Sequence, residues 1–137
     1  MRTIKFRGKV KHHDPMANPE NGWVEGYYLQ DLTQGEMRSY IFQCPCQYEV
    51  IPETVGQFTG LLDKNGKEIY EGDVIIEKLR RARKDGERLV ICFDDFEWQG
   101  KNANGATTSL SLLLEYHTIE VIGNIHDNPE LLKGGAE

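Results

Sequence analysis

The feature that most constrains the fold is a series of turn signals between short apolar segments. It is clearest in "QFTGLLDKNGKEIYEGDVI", residues 57–75. Asn65-Gly66 stands between two apolar arms, which is the strongest short-range signal for a β-hairpin, and we expect a type I′ turn there. Gly72-Asp73 repeats the pattern before the next apolar segment. This part of the chain is therefore predicted to consist of strands joined by tight turns.

The same alternation of short strands and turns continues along the chain. Segments that are β-branched, aromatic or alternately apolar predict strands. They cover residues 4–10, 23–29, 37–43, 48–51, 74–76 and 88–98, with one or two further strands in 110–125. We also expect one helical turn after Pro52, a hairpin apex at Asp85-Gly86, and a short terminal helix with Asn128 as its N-cap. Strands at roughly ten-residue spacing predict a mainly β fold, either a sandwich or a small barrel.

The composition is that of a soluble globular protein. The chain has 137 residues, of which 39% are hydrophobic, and no apolar run approaches the roughly eighteen residues that span a bilayer. The N-terminus has basic residues but no apolar segment, so no signal peptide is predicted and the expected location is the cytoplasm of the host cell, with no membrane partner.

The three cysteines do not predict a disulfide framework, because their number is odd and no signal peptide precedes them. Cys44 and Cys46 are separated by one residue, closer than the usual pairs of structural zinc sites. They are either two loop thiols or a metal-binding pair, and this alternative stays open. Cys92 lies in an apolar strand segment. No cofactor and no metal site are predicted.

Two ligand-binding interpretations of the central turn fail on residue type. A calcium loop that started at Asp63 would place Lys67 at its fifth position and Val74 at its twelfth, where it needs an oxygen ligand and a bidentate Glu. A phosphate-binding loop needs Ser or Thr after Gly-Lys and then a helix, whereas Gly66-Lys67 precedes Glu68 and a strand-like segment.

The sequence does not predict an enzyme. The candidate acid–base groups are the four histidines, His12, His13, His117 and His126. No pair of them has the spacing of a shared metal site, and no nucleophile motif accompanies them. Catalysis would require a cleft in which distant His and carboxylate side chains converge.

The charge distribution is uneven. The net charge of −6 disfavours a general nucleic-acid binder. Residues 77–88 nevertheless hold six basic and three acidic residues, which leaves ten basic and nineteen acidic residues elsewhere, a local +3 against −9. The candidate contact residues of this basic segment, for a phosphate backbone or an acidic protein surface, are Lys78, Arg80, Arg81, Arg83 and Lys84.

Aromatic residues provide the second candidate contact surface. "FDDFEW", residues 93–98, is interpreted as part of one strand, with Phe96 and Trp98 on one face and Asp95 and Glu97 on the other. Phe93, Phe96 and Trp98 are predicted to contact a partner chain.

Four blocks of the sequence, in order, resemble the YopX family of phage and prophage proteins. They are "IKFRGK", "WVEGYYL", "VIPETVGQFTGLLDKNGKEIYEGDVI" and "EVIGNIHDNPELL", and together with their connections they extend over nearly the whole chain. The resemblance implies a β-rich N-terminal region over residues 1–56, an SH3-like β-barrel over 57–127, and a short helix and tail over 128–137. It also implies that Gly60, Asn65, Gly66, Gly72 and Asp73 set the turns that begin the barrel.

The resemblance implies oligomer formation but supplies no biochemical activity and no catalytic residues. Residues 78–88 and 99–107 fall in the variable connections of the family, where the individual function of a member is expected to lie. We therefore expect a small non-enzymatic binding module, encoded by a phage or prophage, that acts through protein–protein contacts as a homo-oligomer, with a host or phage protein as a further partner. The alternative is a nucleic-acid accessory protein that uses the basic segment.

Overall fold

A computed structural model describes residues 3–12, 19, 21–78 and 85–134. The fold is mainly β, as predicted, with two antiparallel sheets. The strands are β1 (Phe6–Lys9), β2 (Trp23–Thr33), β3 (Glu36–Gln43), β4 (Cys46–Val50), β5 (Gly56–Leu62), β6 (Glu68–Tyr70), β7 (Asp73–Lys78), β8 (Asp85–Asp94), β9 (Glu97–Lys101), β10 (Thr107–Ser109) and β11 (Thr118–Asn124). The helices are a 3-10 turn (Pro52–Thr54), α1 (Leu110–Tyr116) and α2 (Glu130–Gly134).

The chain divides into two compact units, Met1–Phe58 and Thr59–Glu137. In the first unit, β4, β3, β2, β1 and the start of β5 are neighbours in that order. Its buried core consists of Val10, Val24, Ile41 and Val50. The turn between β2 and β3 is formed by Gln34 and Gly35, whose φ angles of 52° and 81° are those of a type I′ turn.

The second unit is built on a five-stranded antiparallel sheet. The strand order is β10-β9-β8-β7-β11, so the chain runs through four neighbouring strands and then returns through α1 to pair β11 with β7. Within the described residues, its core is a packed cluster of buried side chains: Ile69, Ile75, Leu89, Ile91, Leu110, Leu113, Ile119 and Val121. Two of these belong to α1, so the short helix is held by the burial of its leucines rather than by its length.

α1 is the largest departure from the sequence prediction, which expected only strands in residues 110–125. An apolar run such as "LSLLLEY" fits a buried strand or a buried helix equally well. The helical form buries Leu110 and Leu113, which are three residues apart and therefore lie on one helix face.

The predicted hairpin apex at Asp85-Gly86 is also wrong. Both residues belong to β8, and Asp85 is paired with Lys78 of β7. Residues 79–84, which join the two strands, lie outside the described part of the chain. A further difference concerns Gly60, which lies within β5 with a φ of 87° rather than at a turn.

The Asn65-Gly66 hairpin is confirmed in position, but its turn type differs from the prediction. Only Gly66 has a positive φ, 81°, whereas a type I′ turn needs two such residues. The Gly66 N–H donates to the Asp63 carbonyl, and the Asp63 N–H donates to the Lys67 carbonyl. This is the three-residue loop in which a glycine in the left-handed region follows a type I turn.

The side chain of Asp63 explains the change of turn type. Asp63 is buried, with 7% of its surface exposed. Its Oδ1 accepts hydrogen bonds from the N–H groups of Asn65 and Lys67 at 2.8 and 2.9 Å, and its Oδ2 accepts one from Val121 in β11 at 3.0 Å. The carboxylate thus fixes the turn and attaches it to the last strand of the sheet.

These hydrogen bonds favour the ionised form of Asp63. Burial raises the energy of the charge, but the N–H groups of Val121, Lys67 and Asn65, together with the Lys67 ammonium group, outweigh it. The pKa of Asp63 is consequently lowered below its ordinary value.

The second predicted turn, Gly72-Asp73, is confirmed. Gly72 has a φ of 91°, and Asp73, only 1% exposed, begins β7. The Asp73 Oδ2 accepts a hydrogen bond from the Tyr70 N–H at 2.8 Å. The backbone of Gly72 bonds to Ile91 and Ile125, so this turn also joins separate parts of the second unit.

We predict that Asp63→Asn lowers the free energy of unfolding by about 2 kcal/mol at pH 7, because an amide cannot accept all three backbone N–H bonds. The folded pKa lies below the unfolded value, so the stabilisation is complete above about pH 5 and is lost as the pH falls through the folded pKa. Urea denaturation at pH 7 and at successively lower pH measures the free energy of unfolding of the variant and of the native protein. The difference between the two free energies should become smaller as the pH falls.

The control is Asp31→Asn, which removes the same charge from an exposed strand position. It should change the free energy of unfolding by less than about 0.5 kcal/mol. An equal loss in both variants would contradict a specific role for the Asp63 carboxylate.

Candidate functional site

The two contact surfaces predicted from sequence differ in how far the structure describes them. Lys78 lies at the end of β7, with its Nζ 3.9 Å from Oε2 of Glu120. Most of the basic segment lies outside the described residues, namely Arg80, Arg81, Arg83 and Lys84. The aromatic surface, Phe93, Phe96 and Trp98, is described in full.

The aromatic surface is a hairpin tip and not a continuous strand. Asp94 of β8 pairs with Glu97 of β9, so Asp95 and Phe96 form a two-residue loop. Their φ angles are 50° and 65°, the pattern of a type I′ turn. The predicted face that combined Phe96 with Trp98 is therefore wrong, because Phe96 belongs to the turn. We refer to residues 93–98 as the hairpin tip.

Phe96 is held in a conformation that its side chain disfavours. The left-handed region costs a residue with a Cβ roughly 1–2 kcal/mol, and a bulky aromatic residue there is an outlier. The Phe96 side chain gains no burial in return, since it is 98% exposed. Asp95 is a less unusual occupant of this region, because aspartate tolerates it.

An aromatic pair stabilises the ends of β8 and β9 that flank the turn containing Phe96. Phe93 and Trp98 are directly opposite each other in the register, and their ring centroids lie 5.0 Å apart at an interplanar angle of 68°. Trp98 is partly buried against the core, whereas Phe93 is 53% exposed. Edge-to-face pairs of this kind stabilise a hairpin by about 0.5–1.5 kcal/mol beyond the area that they bury.

The rings of the hairpin tip are accompanied by three acidic residues, Asp94, Asp95 and Glu97. The Asp94 Oδ1 accepts a hydrogen bond from the Asp95 N–H at 2.9 Å. The Glu97 Oε1 accepts one from the Gln99 side chain at 3.3 Å. The tip therefore presents an exposed aromatic ring with negative charge around it, which suits a partner surface that is apolar at its centre and basic at its rim.

Of the four histidines, His117 lies beside a carboxylate of the second unit. The Nε2 of His117, just after α1, lies 3.1 Å from the Oε1 of Glu77. Both residues line a cleft of the second unit whose described walls contain neither Ser nor Cys. His12 is exposed, and His13 lies outside the described residues.

The cysteines are not brought together with further ligands. Within residues 3–12, 19, 21–78 and 85–134, no group of three or more His, Cys, Asp and Glu side chains could hold a metal ion. Cys44 and Cys46 are both exposed at the turn between β3 and β4. Burial raises the pKa of the Cys92 thiol, and the carboxylate of Asp94 adds to this effect.

Comparison with known proteins now identifies the family. The sequence model of the family described as YopX protein matches residues 5–133. The chain belongs to the YopX family. No protein in a curated collection matches it.

Two solved structures of YopX-family proteins share the fold. The crystal structure of protein yopX from Bacillus subtilis aligns with a TM-score of 0.56 at 18% identity, over 96% of this chain and 97% of that one. The crystal structure of protein EF1440 from Enterococcus faecalis aligns with a TM-score of 0.50 at 22% identity, over 96% and 99% of the two chains. At these identities the likeness concerns the fold alone.

The helices of this YopX-family chain are short. Within the described part of the chain, none has the length and apolar character required to cross a membrane.

The strain at Phe96 predicts an unusual response to mutation. Phe96→Gly and Phe96→Ala both remove an exposed ring, but only glycine accepts the left-handed φ without steric cost. After allowance for the greater freedom of glycine in the unfolded chain, we expect Phe96→Gly to be about 0.5–1 kcal/mol more stable than Phe96→Ala. Urea denaturation of the two variants measures this difference. If alanine were equally stable or more stable, the turn would not impose the strained conformation.

Proposed function

We propose that this YopX-family protein is a small, non-enzymatic binding module, encoded by a phage or prophage, that acts through protein–protein contacts as a homo-oligomer. The observation that carries the proposal is Phe96, a fully exposed aromatic residue kept in a left-handed turn conformation. Strain of this kind persists where the surrounding structure enforces it, and it is concentrated at functional positions.

The energies favour a contact role for Phe96. The left-handed conformation costs roughly 1–2 kcal/mol in the free protein. Burial of a phenylalanine side chain in a partner contributes about 1.5–3 kcal/mol. At the middle of these ranges the contact contributes more than the conformation costs, and the fixed turn avoids the backbone ordering entropy that a mobile loop would lose.

Charge supports a second copy of the chain as the partner. The hairpin tip carries Asp94, Asp95 and Glu97, whereas residues 77–88 carry a local charge of +3. A contact between the acidic tip of one copy and the basic segment of another would join opposite charges and keep identical tips apart. Such a contact is either reciprocal, with each tip on the basic segment of the other copy in a two-fold dimer, or heterologous, closing into a ring or extending as a filament.

The proposal includes an SH3-like barrel as the framework of the second unit. Its support is the strand order β10-β9-β8-β7-β11, in which a meander of four strands is followed by a short helix and a strand that returns beside the first. The loops and sheet edges of such a barrel leave surfaces open to partners.

We predict that the native chain is larger in solution than its 15.7 kDa monomer, and that Phe96→Gly reduces it to the monomer. The reason is that glycine keeps the turn conformation but removes the ring that the partner would bury. Light scattering at low and high salt measures the mass, and salt should also dissociate the native assembly because it screens the charge contact.

The matched control is Leu32→Ala, which removes another side chain that is mostly exposed, at 65%, but leaves the hairpin tip intact. Its mass should equal that of the native chain. A native chain that is monomeric at every salt concentration would exclude self-association, and equal effects of both variants would exclude the tip as the contact.

The nucleic-acid alternative rests on Arg80, Arg81, Arg83 and Lys84. If it were correct, replacement of all four with Gln would abolish binding to duplex or single-stranded DNA, and the affinity of the native chain would fall steeply with salt. Unchanged electrophoretic mobility of DNA at low salt would remove this alternative.

A further inference from the structure

The cleft beside α1 has features that point to a specific ligand chemistry, independent of the hairpin tip. It encloses about 250 Å³ and belongs wholly to the second unit. The lining residues are Glu77, Glu87, Leu89, Thr108, Leu112, Leu113, Tyr116 and His117. None of them is part of the hairpin tip.

One side of the cleft is apolar. Leu89 and Leu113 are buried and continue the core to the base of the cleft. Leu112 and Tyr116 are four residues apart on α1, which places them on one helix face, and they remain 50% and 62% exposed. An apolar wall and an aromatic ring are thus open to a ligand.

The other side of the cleft is negatively charged. The Glu77 side chain is only 16% exposed and lies against His117, with 3.1 Å between Oε1 and Nε2. Glu87 is exposed, and its Oε1 accepts a hydrogen bond from the Asn102 side chain at 2.6 Å. The two carboxylates outnumber the single imidazole, so the charged lining is negative whether His117 is protonated or neutral.

We propose that this cleft binds the side chain of a lysine or arginine presented by a different protein. The methylene stem would pack along Leu112 and Leu113, as long cationic side chains do on apolar surfaces. The cationic head would lie near Glu87 and Glu77 and over the Tyr116 ring, which attracts cations through its negative face. The pairing of an apolar wall with excess negative charge selects this class over neutral or acidic side chains.

The test uses the full chain labelled with ¹⁵N and titrated with N-acetyl-lysine amide, followed by NMR. The neutral probe N-acetyl-norleucine amide keeps the aliphatic stem but lacks the ammonium group. We expect the lysine probe to shift the amide signals of Leu112, Leu113 and Tyr116, and the norleucine probe to bind at least about threefold more weakly, the range of a partly exposed ion pair.

Two variants test whether the Glu87 carboxylate attracts the ammonium group of the lysine probe. Glu87→Gln can keep the hydrogen bond to Asn102 and removes only the charge. It should therefore lower the affinity for the lysine probe about threefold. Glu53→Gln removes an exposed carboxylate from the first unit and should leave the affinity unchanged. Because Glu87 is exposed, neither substitution is expected to affect folding.

Three results would overturn the proposal. Equal binding of the lysine and norleucine probes would mean that the cleft is merely apolar. Signals that do not move would mean that it binds neither. Cleft signals that shift with the concentration of the protein alone would mean that a second copy occupies the cleft. The Phe96 variants keep the cleft intact, so the failure of one proposal does not affect the other.

Discussion

The second unit depends on the buried carboxylate of Asp63. Its two oxygens accept three backbone N–H bonds, two from its own turn and one from Val121 in β11. A buried charge is costly unless such donors compensate it. Here one donor, Val121, is 58 residues away from Asp63 along the chain, so the side chain that shapes a local turn also fixes the position of the last strand. The Lys64 N–H, which donates to the Ile119 carbonyl, strengthens the same junction.

The five-stranded sheet positions the candidate contact surfaces. The register of β8 and β9 leaves only Asp95 and Phe96 to form the turn, and the twist of the two strands favours positive φ at both positions. Phe96 is thereby held outward, with 98% of its surface exposed. On another part of the unit, the burial of Leu110 and Leu113 fixes α1, and this leaves Leu112 and Tyr116 exposed beside the cleft.

The sequence predicted the mainly β fold and the positions of the turns at Asn65-Gly66 and Gly72-Asp73, because glycine in these contexts has a direct backbone cause. It did not predict the type of the first turn, which depends on the hydrogen bonds that the buried Asp63 side chain accepts within the turn. The Asp95-Phe96 turn was missed because it contains neither Gly nor Asn and is imposed by strand register. The helix and the cleft were missed because a short leucine-rich segment does not reveal whether tertiary packing will make it a strand or a helix.

The most direct test of the central claim, that Phe96 is a contact residue between copies, is ¹⁹F NMR of the chain labelled with 4-fluorophenylalanine. The sequence contains five phenylalanines, and the Phe96 signal is assigned by its loss in Phe96→Gly. We expect this signal to have the shift of a solvent-exposed ring in dilute protein and to move to that of a buried ring as the concentration rises. A Phe96 signal that stays solvent-exposed at every concentration, while the protein self-associates, would contradict it.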